Sequence, residues 1–137
     1  MPVRTAAQRR RDAKIAYNAF LAQCPSRQLL DTLSDKWVTL VLVALADGAK
    51  RHGELARLVA GVSQKMLTQT LRSLERDGLV SRTVTPSVPV RVDYALTPLG
   101  GALELQVRAL KRWAEVHMPR VLEARRAYDA QQTRLAG

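Results

Sequence analysis

The sequence contains a single cysteine, Cys24, among its 137 residues. One thiol cannot form a disulfide bond within the chain. The two histidines, His52 and His117, are isolated, and none of these residues stands at the spacing of a zinc site. We therefore expect no metal and no cofactor, and a metal or acid–base role for either histidine is disfavoured.

Long apolar runs are also missing, and none approaches the roughly 20 residues that a membrane-spanning helix needs. The N-terminal arginines are not followed by the apolar segment of a signal peptide. The sequence has no paired carboxylates, no phosphate-binding loop and no nucleophile with a neighbouring base. We expect a cytoplasmic protein that is neither an enzyme nor associated with a membrane.

Acidic residues are scarce: 12 Asp and Glu face 22 Lys and Arg, giving a net charge of +10. Such an excess favours a polyanionic partner, nucleic acid ahead of an anionic membrane. A basic protein that is merely soluble is the alternative. The length allows one domain, and 47% apolar residues are enough for an ordinary globular core.

The spacing of apolar residues predicts five helices. Several have a recognisable start or stop: Pro25 in a first turn, Ser63 and Thr97 as N-caps, and Gly48 and Gly78 as terminators. Pro119 is expected to interrupt or kink the last helix, which would then continue through Tyr128. The predicted helices cover Thr5 to Gln23, Pro25 to Ala46, Gly53 to Val59, Ser63 to Asp77, and Thr97 onward.

Between the last two helices, the sequence predicts a strand at Leu79–Val84, a turn at Thr85–Pro89 and a returning strand at Val90–Leu96. Two short helices across a glycine turn, followed by a hairpin, form a helix-turn-helix with a wing. The predicted fold class is α+β and mostly helical: a winged helix-turn-helix with a two-stranded wing and added N- and C-terminal dimerisation helices.

The helix that begins at Ser63 has an apolar side and a cationic, amide-bearing side. Lysine and arginine can bind phosphate or the guanine edge, and glutamine can pair with adenine. A solvated helix face is the alternative, but the preceding helix and the following hairpin favour DNA. The candidate DNA-binding residues of this helix are Ser63, Gln64, Lys65, Thr68, Gln69, Arg72 and Arg76.

The hairpin adds two candidates, Arg82 and Arg91, which flank the predicted turn. Pro86 and Pro89 stiffen the tip and remove amide donors, which discourages pairing with another strand. A stiff basic tip can enter a minor groove or lie along phosphates. An ordinary hairpin with exposed arginines is the alternative.

These residues resemble the HxlR-type winged-helix regulators, which are related to the MarR regulators. The resemblance covers roughly residues 24–128 and is most specific between Ser63 and Tyr94. Ser34-Asp35 departs from a usual glycine pair, and His52-Gly53 from a usual aromatic and small polar residue. The matching residues are Cys24-Pro25, Asp35-Lys36-Trp37, Arg51, Glu54-Leu55, Ser63 to Arg72, Leu74-Glu75, Asp77 to Val80, Val88-Pro89, Arg91 to Tyr94, Leu96-Thr97 and Leu99-Gly100.

The resemblance implies a bacterial, dimeric transcription regulator whose recognition helix begins at Ser63 and whose hairpin is the wing. We expect a homodimer that binds a near-palindromic operator in double-stranded DNA, with repression as the leading mode. A winged-helix module for protein contacts and a nonspecific architectural DNA binder are the alternatives. The predicted division is a basic helical extension (1–23), the winged-helix domain (24–129) and a C-terminal tail (130–137).

Cys24 precedes Pro25 at the start of a helix, where backbone amides and the helix dipole favour a thiolate. Some HxlR-type regulators resemble thiol sensors with a cysteine at this position, so Cys24 is the candidate redox-sensing residue. A small buried residue at a dimer seam is the alternative. A small-molecule effector is a further candidate, since Trp37 and Trp113 can line a pocket, although both fit a core equally well.

Overall fold

The computed structural model describes residues 3–137; Met1 and Pro2, the first residues of the predicted extension, lie outside them. Six helices and one two-stranded antiparallel sheet follow one another in the order of a winged helix-turn-helix, which confirms the predicted fold class. None of the helices in residues 3–137 is long and apolar enough to cross a membrane. The elements are α1 (Ala6–Gln23), α2 (Pro25–Leu33), α3 (Lys36–Ala44), α4 (His52–Leu58), α5 (Gln64–Arg76), β1 (Val80–Thr85), β2 (Arg91–Leu96) and α6 (Pro98–Ala136).

The single helix predicted from Pro25 to Ala46 is wrong: it is divided into α2 and α3. The side chain of Asp35 accepts a hydrogen bond from the backbone N–H of Trp37 at 2.9 Å and so caps a new helix. An aspartate that bonds nearby amides competes with helix continuation. Apolar periodicity continues across the break, which is why it predicts one helix.

The caps predicted for α5 and α6 are confirmed. The Ser63 hydroxyl accepts from the N–H of Met66 at 3.1 Å, and the Thr97 hydroxyl accepts from the N–H of Gly100 at 3.0 Å. Gly78 ends α5 with φ of +72°, a left-handed conformation that glycine adopts without strain. These caps fix where the helix begins that presents the candidate residues.

The hairpin is present: β1 lies one residue later than predicted, and β2 begins one residue later but ends at Leu96 as predicted. The two strands pair from Val80 opposite Leu96 to Thr85 opposite Arg91. The sequence does not predict its anchor. Lys50, in the loop before α4, exchanges two backbone hydrogen bonds of 2.8 Å with Tyr94 of β2. The wing is therefore joined by backbone hydrogen bonds to the start of the helix-turn-helix.

The core lies between α3, α4, α5, β1 and the first turns of α6. The first turn of α6 approaches the backbone of Leu79 closely at Gly100. A Cβ added there would lie 2.9 Å from the carbonyl carbon of Leu79 and closer still to its oxygen. Thr97 strengthens this contact, since its hydroxyl donates to the carbonyl of Gly78 at 2.6 Å. The buried apolar residues are Val38, Val41, Leu42, Leu45, Leu55, Val59, Leu67, Leu71, Leu74, Leu79, Val80 and Val107.

A carboxylate is buried beside this core. Glu104 is 3% exposed, and its two oxygens accept from the Nε and a terminal nitrogen of Arg108 at 3.0 and 2.7 Å. A bidentate guanidinium is the partner that keeps a buried carboxylate satisfied. The pair stands one helical turn apart on α6.

Several apolar side chains at helical spacing are exposed in the single chain. Leu58 of α4 is 58% exposed, and Leu99, Leu110 and Trp113 of α6 are 61%, 63% and 54% exposed. Pro119 does not interrupt α6, which continues past Tyr128 to Ala136. At about 1.5 Å per residue, the 39 residues of α6 extend far beyond the core that its first turns cover.

Candidate nucleic-acid interface

The two sides of α5 separate as predicted. Leu67, Leu71 and Leu74 are buried in the core, and the opposite side faces solvent. Lysine, glutamine and arginine side chains there are free to extend. Lys65, Gln69, Arg72 and Arg76 are exposed, and Gln64 is exposed in the first turn.

Ser63 has a structural role at the same end of the helix. Its hydroxyl oxygen accepts from the N–H of Met66, which uses one of its lone pairs within the cap. The remaining N–H groups of the first turn carry the positive end of the helix dipole. Lys65 adds a full charge nearby. This end of α5 is therefore suited to an anionic group such as a phosphate.

A cleft between α5 and the wing brings three of the candidate residues together. It has a volume of about 300 Å³ and is lined by Thr68, Arg72 and Glu75 of α5 with Arg82 and Tyr94 of the wing. Two guanidinium groups face a single carboxylate in it. The cleft is thus a cationic junction between the two elements that the sequence predicts to contact DNA.

Arg91 lies at the other end of the ribbon. Arg82 pairs in register with Tyr94, and Arg91 pairs with Thr85, three residue pairs farther along. At about 3.4 Å per residue, the two arginines are separated by roughly 10 Å along the strands. Arg91 also forms an ion pair with Asp93, with 3.0 Å between Nε and Oδ2, which the sequence does not predict.

Arg76, in the last turn of α5, has different surroundings. It lines a cleft between α5 and the α2–α3 break together with three carboxylates, those of Asp31, Asp35 and Asp77. The acidic neighbours offset its charge. Arg76 is therefore less favourably placed for phosphate than Arg72, and its DNA contact stays a prediction.

A hydrogen bond that the sequence does not predict joins the two helices of the helix-turn-helix. Nε2 of His52, the first residue of α4, lies 3.1 Å from the Thr68 hydroxyl on α5. Both side chains are half-buried. The one signal of this bond in the sequence is that His52 replaces the aromatic residue usual at this position in the resembled family. Because His52 is isolated along the chain, the sequence does not indicate that Thr68 is its partner.

Cys24 lies at the N-cap of α2. The backbone amides of Arg27 and Ser26 at the start of α2 lower the pKa of the Cys24 thiol, as the sequence predicts. The residue is half-buried and is not in a disulfide bond. A partly accessible thiol with a lowered pKa is the kind that reacts with oxidants and alkylating reagents.

Comparison with known proteins gives a consistent result. The family model described as HxlR-like helix-turn-helix matches residues 32–122. The HTH-type transcriptional regulator YtfH of Escherichia coli (strain K12) is 46% identical over 108 residues, which are 79% of this chain and 86% of that protein.

Two solved structures extend the similarity to three dimensions. The transcriptional regulator ytfH from Salmonella typhimurium is 47% identical, with a TM-score of 0.69 over 78% of this chain and 96% of that one. The redox regulator HypR, in its oxidised form, is 41% identical, with a TM-score of 0.64 over 68% of this chain and 96% of that one.

Proposed function

This chain belongs to the HxlR-like helix-turn-helix family of transcriptional regulators, and on that premise we propose that it binds a specific operator sequence. In the proposal, α5 enters the major groove and the wing lies along the flanking backbone or minor groove. The observation that carries the proposal is the cleft in which Arg72 of α5 and Arg82 of the wing meet.

The residues of α5 and those of the wing are assigned different parts of the DNA. Gln69 and Arg72 are exposed on the same side of α5, and we assign them hydrogen bonds to base edges, as glutamine makes with adenine and arginine with guanine. To Arg82 and Arg91 on the ribbon we assign contacts with phosphates. Base contacts specify the sequence, whereas phosphate contacts position the protein and make binding depend on salt.

The experiment begins with a selection of bound duplexes from a random library, followed by affinity measurements on the selected operator and its single-base-pair variants. Gln69→Ala and Arg72→Ala should each cost about 1–3 kcal/mol and relax one or two positions. Arg82→Ala and Arg91→Ala should weaken binding to all sequences alike and flatten the salt dependence by about one unit of log-log slope per phosphate contact.

Several outcomes contradict the proposal. Unchanged affinity and base preference in both α5 variants would remove the recognition assignment. Binding without any selected sequence would indicate a nonspecific architectural protein. No binding to DNA would favour a winged helix that contacts proteins. An unchanged salt slope in both ribbon variants would argue that the wing faces solvent.

We also propose that the protein acts as a homodimer on a near-palindromic operator. Exposed apolar side chains on α1, α2 and α6, including Phe20, Leu30 and Trp113, support a partner surface. Two recognition helices would then meet successive major grooves about 34–36 Å apart. A dimer seated across two grooves obstructs a promoter, so repression is the proposed mode, and a reporter gene behind the selected operator tests it.

We propose a second property, regulation of DNA binding by oxidation of Cys24. It is supported by the lowered pKa and partial exposure of this thiol and by the similarity to a protein described as a redox regulator. Peroxide or a disulfide reagent should weaken operator binding, reductant should restore it, and Cys24→Ser should not respond. Equal responses of the parent and Cys24→Ser would make the cysteine structural and leave a small-molecule effector as the alternative.

A further inference from the structure

We propose that His52 is a specificity-determining positioning residue, which acts through its hydrogen bond with Thr68 to set what Thr68 presents to one operator base pair. The inference rests on the proposed function, because it requires that α5 enters the major groove. His52 itself is assigned no contact with DNA.

The geometry connects the two helices directly. His52 is the first residue of α4, and Thr68 lies on the second turn of α5, 16 residues later. The 3.1 Å separation of Nε2 and Oγ1 is within hydrogen-bond range. Thr68 also lines the cleft that contains Arg72 and Arg82. The bond therefore reaches the junction of recognition helix and wing.

Three other helical threonines of this chain bond differently. Thr32, Thr39 and Thr133 each donate their hydroxyl to a backbone carbonyl of their own helix, three or four residues earlier. This local bond is why threonine divides between two χ1 rotamers in helices. Thr68 instead has its hydroxyl paired with a side chain of another helix. Its rotamer is thus selected by tertiary structure.

The choice of rotamer decides which chemistry is offered to a base. A rotation about χ1 exchanges the hydroxyl and the methyl group of threonine. The methyl group can pack on the thymine methyl, whereas a hydroxyl hydrogen-bonds several base edges. In either tautomer of His52, one of the hydroxyl's hydrogen-bonding positions is occupied by the imidazole. The pair thus fixes one set of contacts, and loss of the imidazole nitrogen leaves that set undefined.

The inference is tested by replacing His52 with residues that keep or remove its hydrogen bond to Thr68. The affinity of each variant is measured on the selected operator and its single-base-pair variants. The amide of His52→Gln reaches about as far as Nε2 and should keep the base preference, whereas the shorter His52→Asn should lose it. His52→Phe keeps a ring and removes both nitrogens. His52→Asn and His52→Phe should reduce discrimination at one base pair by about three- to tenfold, which corresponds to the contribution of roughly one hydrogen bond.

Thr68→Val locates the effect, because it replaces the hydroxyl by a methyl group. It should alter discrimination at the same base pair, and His52→Phe in the Thr68→Val background should add nothing there. Thr133→Val near the end of α6 is the matched control and should leave every preference unchanged. Thermal unfolding of each variant separates loss of specificity from loss of fold.

The inference fails if the folded His52→Asn and His52→Phe proteins keep the parent's preference at every position. It also fails if they lose affinity equally for all sequences, or if His52→Phe has its full effect in the Thr68→Val background. These results leave the proposed function intact whenever Gln69→Ala and Arg72→Ala still relax the operator. A parent that selects no sequence overturns both.

Discussion

The packed head of the molecule (residues 36–107) and its outer helices (α1, α2 and α6 after Val107) have similar apolar patterns but opposite burial. Among the side chains that the structure describes, every buried apolar one belongs to the head, between Val38 and Val107. In the outer helices, Phe20 is 68% exposed, Leu30 is 62% exposed and Leu110 is 63% exposed. An apolar stripe at helical spacing therefore indicates a surface to be covered, without saying whether the same chain covers it.

The difference has an energetic meaning. Burial of an apolar side chain contributes about 1.5–3 kcal/mol, and the head obtains this contribution from its own contacts. The outer helices leave the same contribution unrealised within one chain. We infer that the head specifies the fold and that the outer helices specify the assembly.

The largest effect is expected inside the head, where the first turn of α6 packs on the backbone of Leu79. Gly100→Ala places a Cβ 2.9 Å from the carbonyl carbon of Leu79 and closer still to its oxygen, so backbone must move. We expect a loss of about 3 kcal/mol or more in the free energy of unfolding, measured by urea denaturation. Gly101→Ala is the control, because nothing lies within 4 Å of a Cβ added there.

Gly101→Ala should be neutral or stabilise the protein by about 0.5–1 kcal/mol, as alanine does in a helix interior. Equal effects at the two positions would show that the first turn of α6 is not packed closely on the backbone of Leu79. The head would then be less distinct from the outer helices than its packing indicates.

The next effect should appear in assembly. Leu110→Ala combined with Trp113→Ala removes two exposed apolar side chains of α6 and should weaken the proposed homodimer by about 2–4 kcal/mol. Sedimentation equilibrium over a range of concentrations measures it. Val84→Ala is the control, since Val84 is 45% exposed on the wing and is expected to leave the dimer unchanged. A parent that is monomeric at micromolar concentration would contradict the assignment.

A smaller effect is expected within the head at the start of α5. Ser63→Ala removes the hydroxyl that caps the N–H of Met66 and should cost about 1 kcal/mol of folding free energy. Ser73→Ala, at an exposed position in the interior of the same helix, is the matched control and should not destabilise. If both variants unfold at the parent's urea concentration, the cap contributes nothing measurable.

The smallest effect concerns the outer helices at Cys24. Because N–H groups of Arg27 and Ser26 lower the pKa of this thiol, its alkylation by iodoacetamide should accelerate at a lower pH in the native protein than in the urea-unfolded chain. The thiolate therefore favours folding above the unfolded-state pKa, and this contribution is lost as pH falls through the native pKa.

Cys24→Ser gives the background, since it takes no label at this position. Identical pH profiles for native and unfolded protein would show that the N-terminus of α2 does not favour the thiolate. The thiol would then be an ordinary cysteine with no special reactivity.

Local signals explain most of what the sequence predicts correctly. Ser63, Thr97 and Gly78 act on neighbouring backbone groups, so their effect is encoded within a few residues. The division of α2 from α3 depends on Asp35 capping the N–H of Trp37, a local signal that continuous apolar spacing outweighs in the prediction. The helices that carry the candidate DNA-binding residues are therefore predictable.

The features missed by the sequence depend on distant residues. His52 meets Thr68, and Lys50 meets Tyr94, only after the chain has folded. The exposure of Leu110 and Trp113 depends on what packs against α6, and the spacing of apolar residues carries no information about that. Surface patterning thus predicts which side of α5 is cationic, whereas the pairing of individual side chains requires the fold.

The backbone bridge between Lys50 and Tyr94 has a mechanical consequence. It closes a ring of chain that contains α4, α5 and both strands of the wing. α5 and the wing thereby belong to one closed segment of chain. In the proposed homodimer, a displacement transmitted from the outer helices would turn this closed segment as a whole. Control of DNA binding would then act on the distance between the closed segments of the two subunits and not on the shape of either.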